Sequence, residues 1–285
     1  MRGAAHRPHG AARRRSVQRS QVPGAGRSGL VNALVSARFA TRVGVLGLLL
    51  CACTKAWAQD AADVEFDRPG IGFSPSVLAP GQIAWEQGLP DIARDDSDGV
   101  RSTRYAAASL LRIGLGAALE LQLDSDSHVW EHTRSGDARE RVHGGGDSSV
   151  ALKWVLPGSD DDMQWALLAR QGVLTGASDI RAGRAQQDLG VSLATGDVAF
   201  YVNGTRDEDG TGWTLSPSWT FVSTDSIGAY LEAGLGTGAQ RSRALGTGVT
   251  WRVAPAVQLD LSVLRGFADD EDDWSGGFGV SFLLP

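Results

Sequence analysis

Cysteine is nearly absent from this chain of 285 residues: Cys51 and Cys53 are the only two, and residues 59–285 have none. That excludes a disulfide framework or a thiolate metal site in the larger part of the molecule. Long hydrophobic runs are missing too. The longest, from Val43 to Cys53, falls short of the roughly 20 residues that a helix needs to cross a bilayer, so the chain is not a helical membrane protein. Acidic residues are missing from positions 1–58, which hold ten Lys or Arg. Positions 59–285 therefore hold 27 − 10 = 17 basic and 33 acidic side chains, a net of −16. Such an acidic surface argues against nucleic acid as a partner. What the chain does have is glycine, at 37 residues, and nine tryptophans within a composition that is 42% hydrophobic. This is too apolar for intrinsic disorder.

The charge split marks two regions with different jobs. Arg38 and Arg42 precede the apolar run, and Ala56-Trp57-Ala58 follows it. A positive segment, an apolar segment and an A-x-A end describe a secretory signal. Residues 1–58 are therefore expected to be a signal region with Sec-type cleavage near Ala58. Leu50-Cys51-Ala52-Cys53 also resembles a lipobox, with Cys53 as the lipidated residue. The Arg-rich stretch before residue 38 is too long for an ordinary signal, and a start codon near Val31 or Val35 would explain it.

No segment after Ala58 shows a convincing helical period; alternation with period two recurs instead. Val257-Gln258-Leu259-Asp260-Leu261-Ser262-Val263 is the clearest example. Twelve such segments are expected, at 81–89, 104–114, 118–124, 147–156, 162–173, 185–194, 198–206, 212–222, 226–236, 242–252, 256–266 and 275–284. Their connections tend to alternate. The odd ones, such as 90–103 and 125–146, are mostly long and polar, and the even ones, such as 195–197 and 253–255, are short. A soluble sandwich has no reason to trim one end, whereas a transmembrane barrel has short periplasmic turns and longer outer loops. The expected fold is all-β: an antiparallel transmembrane β-barrel of about 12 strands over residues 81–285, preceded by a periplasmic segment at 59–80. Pro217 falls within a segment and predicts a bulge there.

One alternating set is almost free of charge, as a lipid-facing set must be. The other includes Glu86, Arg112, Glu120, Lys153, Arg170, Asp188, Glu232, Arg252 and Asp260, separated by small residues. These nine are expected to line the lumen, and Arg112 should face Glu120 across a tight turn. Two readings of such charges stay open: they satisfy one another and close the lumen, or they form a polar pathway that sets selectivity.

Catalytic and metal chemistry find little support. The three His of residues 59–285, His128, His132 and His143, fall in one expected outer loop. His128 and His132 have metal spacing only on a helix. His143 near Ser148 and Ser149 is the one nucleophile–base candidate for an outer-membrane lipid-modifying enzyme. The acidic run at 269–273 reads as solvated loop charge rather than a Ca²⁺ site. No catalytic residue, metal or cofactor is expected.

Phe66-Asp67-Arg68-Pro69-Gly70, Ser74 and the stretch Leu78-Ala79-Pro80-Gly81-Gln82-Ile83-Ala84-Trp85-Glu86 resemble the start of the outer-membrane transporter family of the MetA pathway of phenol degradation. Leu111-Arg112-Ile113-Gly114-Leu115 with Leu119-Glu120-Leu121 is similar to that family's next hairpin. The resemblance implies an outer-membrane, porin-like barrel that helps take up small hydrophobic or aromatic compounds, with Asp67, Arg68, Pro69 and Gly70 as its N-terminal motif. Its partners would be outer-membrane lipid, small solutes and the barrel-assembly machinery. The alternative is a closed structural or surface-interaction barrel.

Overall fold

The computed structural model describes residues 64–116, 118–160, 162–268 and 271–284. The signal region with its cleavage site, the lipobox and the alternative start codons lie outside them. The chain forms β1 (Ile83–Ser97), β2 (Val100–Gly116), β3 (Leu119–Ser135), β4 (Ala138–Gly144), β5 (Ser148–Val155), β6 (Gln164–Val173) and β7 (Gln187–Thr195). It continues with β8 (Val198–Arg206), β9 (Thr211–Ser223), β10 (Ile227–Gly238), β11 (Arg243–Ala254), β12 (Val257–Gly266) and β13 (Trp274–Leu284). Every pairing is antiparallel between neighbours; β1 pairs β13, and β2–β3 pairing completes the circle. Twelve strands close the barrel. The thirteenth, β4, lies outside it, paired only with the far half of β3.

Closure follows from the alternation. Leu152, Leu231, Leu245, Leu261 and Phe278 all point outward, and Leu245 and Leu261 are each 60% exposed to the surroundings. So continuous an apolar band is far larger than the patches that soluble monomers tolerate. In hydrocarbon it is favourable, provided that every backbone group finds a partner within the sheet, and a closed cylinder supplies those partners.

Two elements differ from the sequence expectation. Residues 90–103 and 125–146 are not loops but hairpins that carry β1–β2 and β3–β4 beyond the rest of the barrel. Their turns are Asp98-Gly99 and Gly136-Asp137, with positive φ at Asp98, Gly99 and Gly136. Residue pairs of this kind close two-residue hairpins because their backbone twist matches that of the strands. Hydrophobic alternation stops there because both faces carry polar side chains beyond the apolar band, so the pattern fades while the strand continues. Pro217 is also regular in register, opposite Phe200; the displacement in β9 lies at 220–222.

A bulge between Gly88 and Asp91 shifts the phase of β1 against both neighbours, and β2–β3 shift together at Ala106/Ala108. Below these shifts Glu86 and Arg112 point inward. Above them Asp91, Ala106 and Val129 do, with Val129 fully buried. The whole β1–β4 extension therefore keeps a consistent inner and outer face.

The acidic segments at 91–98 and 267–274 meet at the outer rim, where the Asp96 amide donates to Asp273 at 3.0 Å. Asp269 and Asp270 lie outside the described residues. Burial pushes the Asp272 carboxyl up, and Asp95, Glu271 and Asp273 push it further against the pull of Arg104. A raised pKa means that the ionised form strains the folded rim, and the strain is relieved as pH falls through that raised value. Hydrogen exchange of the β12–β13 connection, corrected for intrinsic rates, should slow between pH 7 and mild acid. Asp272→Asn should remove that pH dependence; a wild-type rim that loosens in mild acid would contradict it.

Candidate functional site

The interior of the barrel is organised around residues 64–80, which run inside it before entering β1. Asp67 is the centre. Its carboxylate accepts from Lys153 Nζ at 2.8 and 3.1 Å, from Gln122 Nε2 at 2.7 Å and from the Ser74 amide at 3.0 Å. Glu86 accepts the Asp67 and Arg68 amides at 3.0 and 2.7 Å. Arg112 grips Glu120 with Nε and Nη2 at 2.8 and 3.0 Å. Its Nη1 reaches Glu86 at 3.1 Å and the Glu65 carbonyl at 2.8 Å. Arg68 forms a two-point pair with Asp91 at 2.8 and 2.7 Å and touches Asp260 at 3.3 Å.

Glu86, Arg112, Glu120 and Lys153 are 0% exposed, so their charges are fully withdrawn from water. The central ion-pair network holds five carboxylates (Asp67, Glu86, Asp91, Glu120, Asp260) and three cations (Arg68, Arg112, Lys153). Backbone groups of the segment balance the excess. Its amides at Asp67, Arg68, Ser74 and Leu78 donate to carboxylates, while its carbonyls at Ser74 and Ser76 accept from Lys153 at 3.1 and 3.0 Å. Charge-assisted bonds of this kind are about twice as strong as neutral ones. The wall makes room for the segment at two glycines. A Cβ at Gly279 would lie 2.5 Å from Arg68 Nε, and one at Gly114 would lie 2.1 Å from the Ala79 carbonyl.

The other expected interior residues stand apart from this centre. Glu232 accepts the Ile71 amide at 2.9 Å, and Arg252 donates to the Val64 carbonyl at 2.7 Å near the periplasmic end. Asp188 accepts from Thr205 at 2.7 Å and Asn203 at 3.2 Å. Arg170 lies 3.5 Å from Asp124 and keeps about a third of its side chain exposed. The sequence reading missed Gln122 and Asp91. Asp91 falls in the expected outer loop at 90–103; Pro90 is the signal against that, since proline within a strand marks a bulge, and the bulge is what turns Asp91 inward.

Two of the cavities that flank the segment share part of its backbone. One, of about 320 Å³, opens toward the outer side between Arg104, Ala106, Ser262 and Ser275. The other, of about 200 Å³, lies toward the periplasmic side between Tyr201, Ser216, Tyr230 and Glu232. Asp67, Pro69 and Gly70 line both, so the segment stands between them.

The structure does not assemble the nucleophile–base candidate. Ser149 is buried on the inner face, whereas His143 is exposed on the outer face of β4, its ring centre 5.9 Å from that of His128. His128 and His132 lie on a strand, where four residues span about 13 Å. Among the described residues no group of three or more metal-ligating side chains is present.

Replacing Asp67 by Ala leaves Lys153 buried with carbonyl partners and Glu120 at 3.5 Å. Breaking one partner of a buried ion pair costs about 3–5 kcal/mol. Asp67→Ala should therefore loosen residues 64–80, read as faster limited proteolysis within them, while the barrel keeps its heat-modifiable migration. Unchanged protection would show that Asp67 does not anchor the segment.

The model of the family described as "Putative MetA-pathway of phenol degradation" matches residues 66–284, and the chain belongs to that family. Its fold matches the crystal structure of an outer membrane channel from Pseudomonas putida F1. That match has a TM-score of 0.58 and 13% identity, covering 76% of this chain and 99% of that one. More distant is a KdgM porin, with a TM-score of 0.45 and 10% identity over 72% of this chain and 99% of that one. The outer membrane phospholipase A from Escherichia coli has a TM-score of 0.41 and 8% identity, over 76% and 94%. No curated protein matches the sequence.

Proposed function

We propose that this member of the phenol-degradation MetA family is an outer-membrane channel for the passive passage of small hydrophobic or aromatic molecules, gated by residues 64–80. One observation carries the proposal: Asp67, Pro69 and Gly70 border both cavities, one toward each side of the barrel. A cavity of about 150 Å³ already accepts a benzene ring. Spaces of about 320 and 200 Å³ therefore each suit a single aromatic molecule.

The inner cavity adds chemistry to size. Phe73 and Tyr201 meet edge to face at 5.5 Å, and a solute ring has aromatic surface to pack on. Tyr230 Oη and Glu232 Oε1 have no protein partner there and offer hydrogen bonds to a solute hydroxyl. Glu86, Arg112, Glu120, Lys153 and Asp260 hold the gate, while Arg170, Asp188, Glu232 and Arg252 stand further along the route. No chemical step is needed; charge and diameter select. The reading also includes delivery by a Sec-type signal cleaved near Ala58, insertion by the barrel-assembly machinery and a lipid shell around the apolar band.

Single-channel recording in planar bilayers tests this reading. The wild type should show small discrete steps, and Asp67→Ala several-fold larger ones. Arg170 is a partly exposed cation in the wall, and Arg170→Gln should shift the reversal potential toward cation selectivity. A barrel that inserts yet stays silent in both wild type and Asp67→Ala would favour the closed, surface-interaction reading instead.

A further inference from the structure

The β1–β4 extension has two chemically different faces. Residues opposite one another across the strands share a face. In one such row Asp96, Arg101, Arg134 and Arg139 stand side by side on the four strands. In the row two residues below stand Arg94, Thr103, His132 and Arg141. Below that come Ile92, Tyr105, Trp130 and His143. All three rows belong to the outward face, because the row just below the lowest of them contains Ala106 and Val129, which are buried inside, and successive rows alternate between the faces. The outward face thus runs from an aromatic row to two rows with five arginines, one histidine and a single acid. The arginines and His132 are all exposed.

Height fixes what this face meets. From Leu119 at the periplasmic turn to Trp130 is about ten strand residues after the bulge is allowed for. At about 3.3 Å each and a tilt of about 40°, they rise about 25 Å, the thickness of the apolar band of such barrels. Trp130, 42% exposed, therefore sits at the outer interface, where tryptophan and tyrosine gather. The arginine rows begin one step above it, at headgroup level.

The arrangement is costly in water. Like charges directly opposite across strands destabilise a sheet, and Arg101, Arg134 and Arg139 are direct neighbours. Asp96 answers Arg101, and Arg134 donates to the Gly136 carbonyl. The inner face does not repeat the pattern: there Arg104 stands opposite Glu131 and pairs with Asp126. A cationic patch about 14 Å wide and 7 Å tall, four strands by two rows, matches a phosphorylated sugar headgroup in size and charge.

The geometry points to the outward face of β1–β4 as a docking surface for the phosphate-bearing glycolipid of the outer leaflet. Arg134, Arg139 and Arg141 contact its phosphates, and Trp130 and Tyr105 meet the start of its acyl chains. The surface anchors the hairpins that project past the barrel mouth. It does not depend on the lumen being open.

The test is a binding titration of the full chain, purified from outer membranes in a non-ionic detergent. The probes are bis-phosphorylated lipid A, the same lipid with both phosphates removed, and inorganic phosphate alone. An arginine near an anionic lipid surface is worth roughly a factor of five. Arg134→Gln/Arg139→Gln/Arg141→Gln should therefore bind bis-phosphorylated lipid A about a hundredfold more weakly than the wild type, and no better than it binds the dephosphorylated lipid. Glu131→Gln/Glu140→Gln, on the opposite face, should bind like the wild type. Heat-modifiable migration identifies folded samples of each variant. Undiminished binding by the triple arginine variant, or a wild type that ignores the phosphates, would overturn the proposal. So would an equal loss in the Glu131/Glu140 variant, or full competition by inorganic phosphate at the concentration of the lipid.

Discussion

The requirement that every backbone N–H and C=O at bilayer depth find a partner shapes everything else in this molecule. It excludes an open sheet, so twelve strands close through β2–β3 and β1–β13. Closure divides the side chains into an outer set that must suit hydrocarbon and an inner set that must suit one another. A twelve-strand cylinder is too wide for its wall residues alone to fill. The space left at its axis is taken by residues 64–80, and the inner wall is built to receive them.

How it receives them follows from the cost of burying charge. An isolated buried carboxylate or ammonium is unfavourable by several kcal/mol even after relaxation, and the penalty is offset only when geometry is good and remaining lone pairs are satisfied. Carboxylates outnumber cations around the segment, and backbone amides at Asp67, Arg68, Ser74 and Leu78 supply the missing donors. The wall and the segment are therefore incomplete without each other. A polar, charge-compensated contact also has a different character from a greasy plug. Water or a polar solute can take over its hydrogen bonds one at a time, so such a contact can be tight and still be displaced.

The barrel was legible in the sequence because lipid enforces a strict alternation, and period two survives in segments such as Val257–Val263. The interior charges were legible for the same reason: once Leu111 and Ile113 face lipid, Arg112 must face inward. Legibility ended where lipid ended. Beyond the outer interface both faces of β1–β4 are polar, so residues 90–103 and 125–146 read as loops although Asp98-Gly99 and Gly136-Asp137 marked hairpin turns. Asp91 was lost to the same boundary, since a bulge changes phase without changing composition. The pairing of Asp67 with Lys153, 86 residues away, had no local signal at all; a resemblance singled out the Asp67 motif, but not its partners.

The same four strands carry most of what distinguishes this barrel. β1, β2 and β3 supply Glu86, Arg112 and Glu120 to the central network, and β1 supplies Asp91 through its bulge. The phase shift that turns Asp91 toward Arg68 also turns Arg94 outward, and a separate shift between β2 and β3 keeps the rest of the extension in step. The bulge in β1 thus places Asp91 in the inner grip on residues 64–80 and Arg94 on the surface presented above the membrane. A change at Gly88–Asp91 that restored regular pairing would move Asp91 to the lipid side and turn Arg94 inward. The inner grip would lose Asp91 and the outer basic face would lose Arg94, because on a pleated strand a shift of one residue exchanges the side chains of that strand between the two faces.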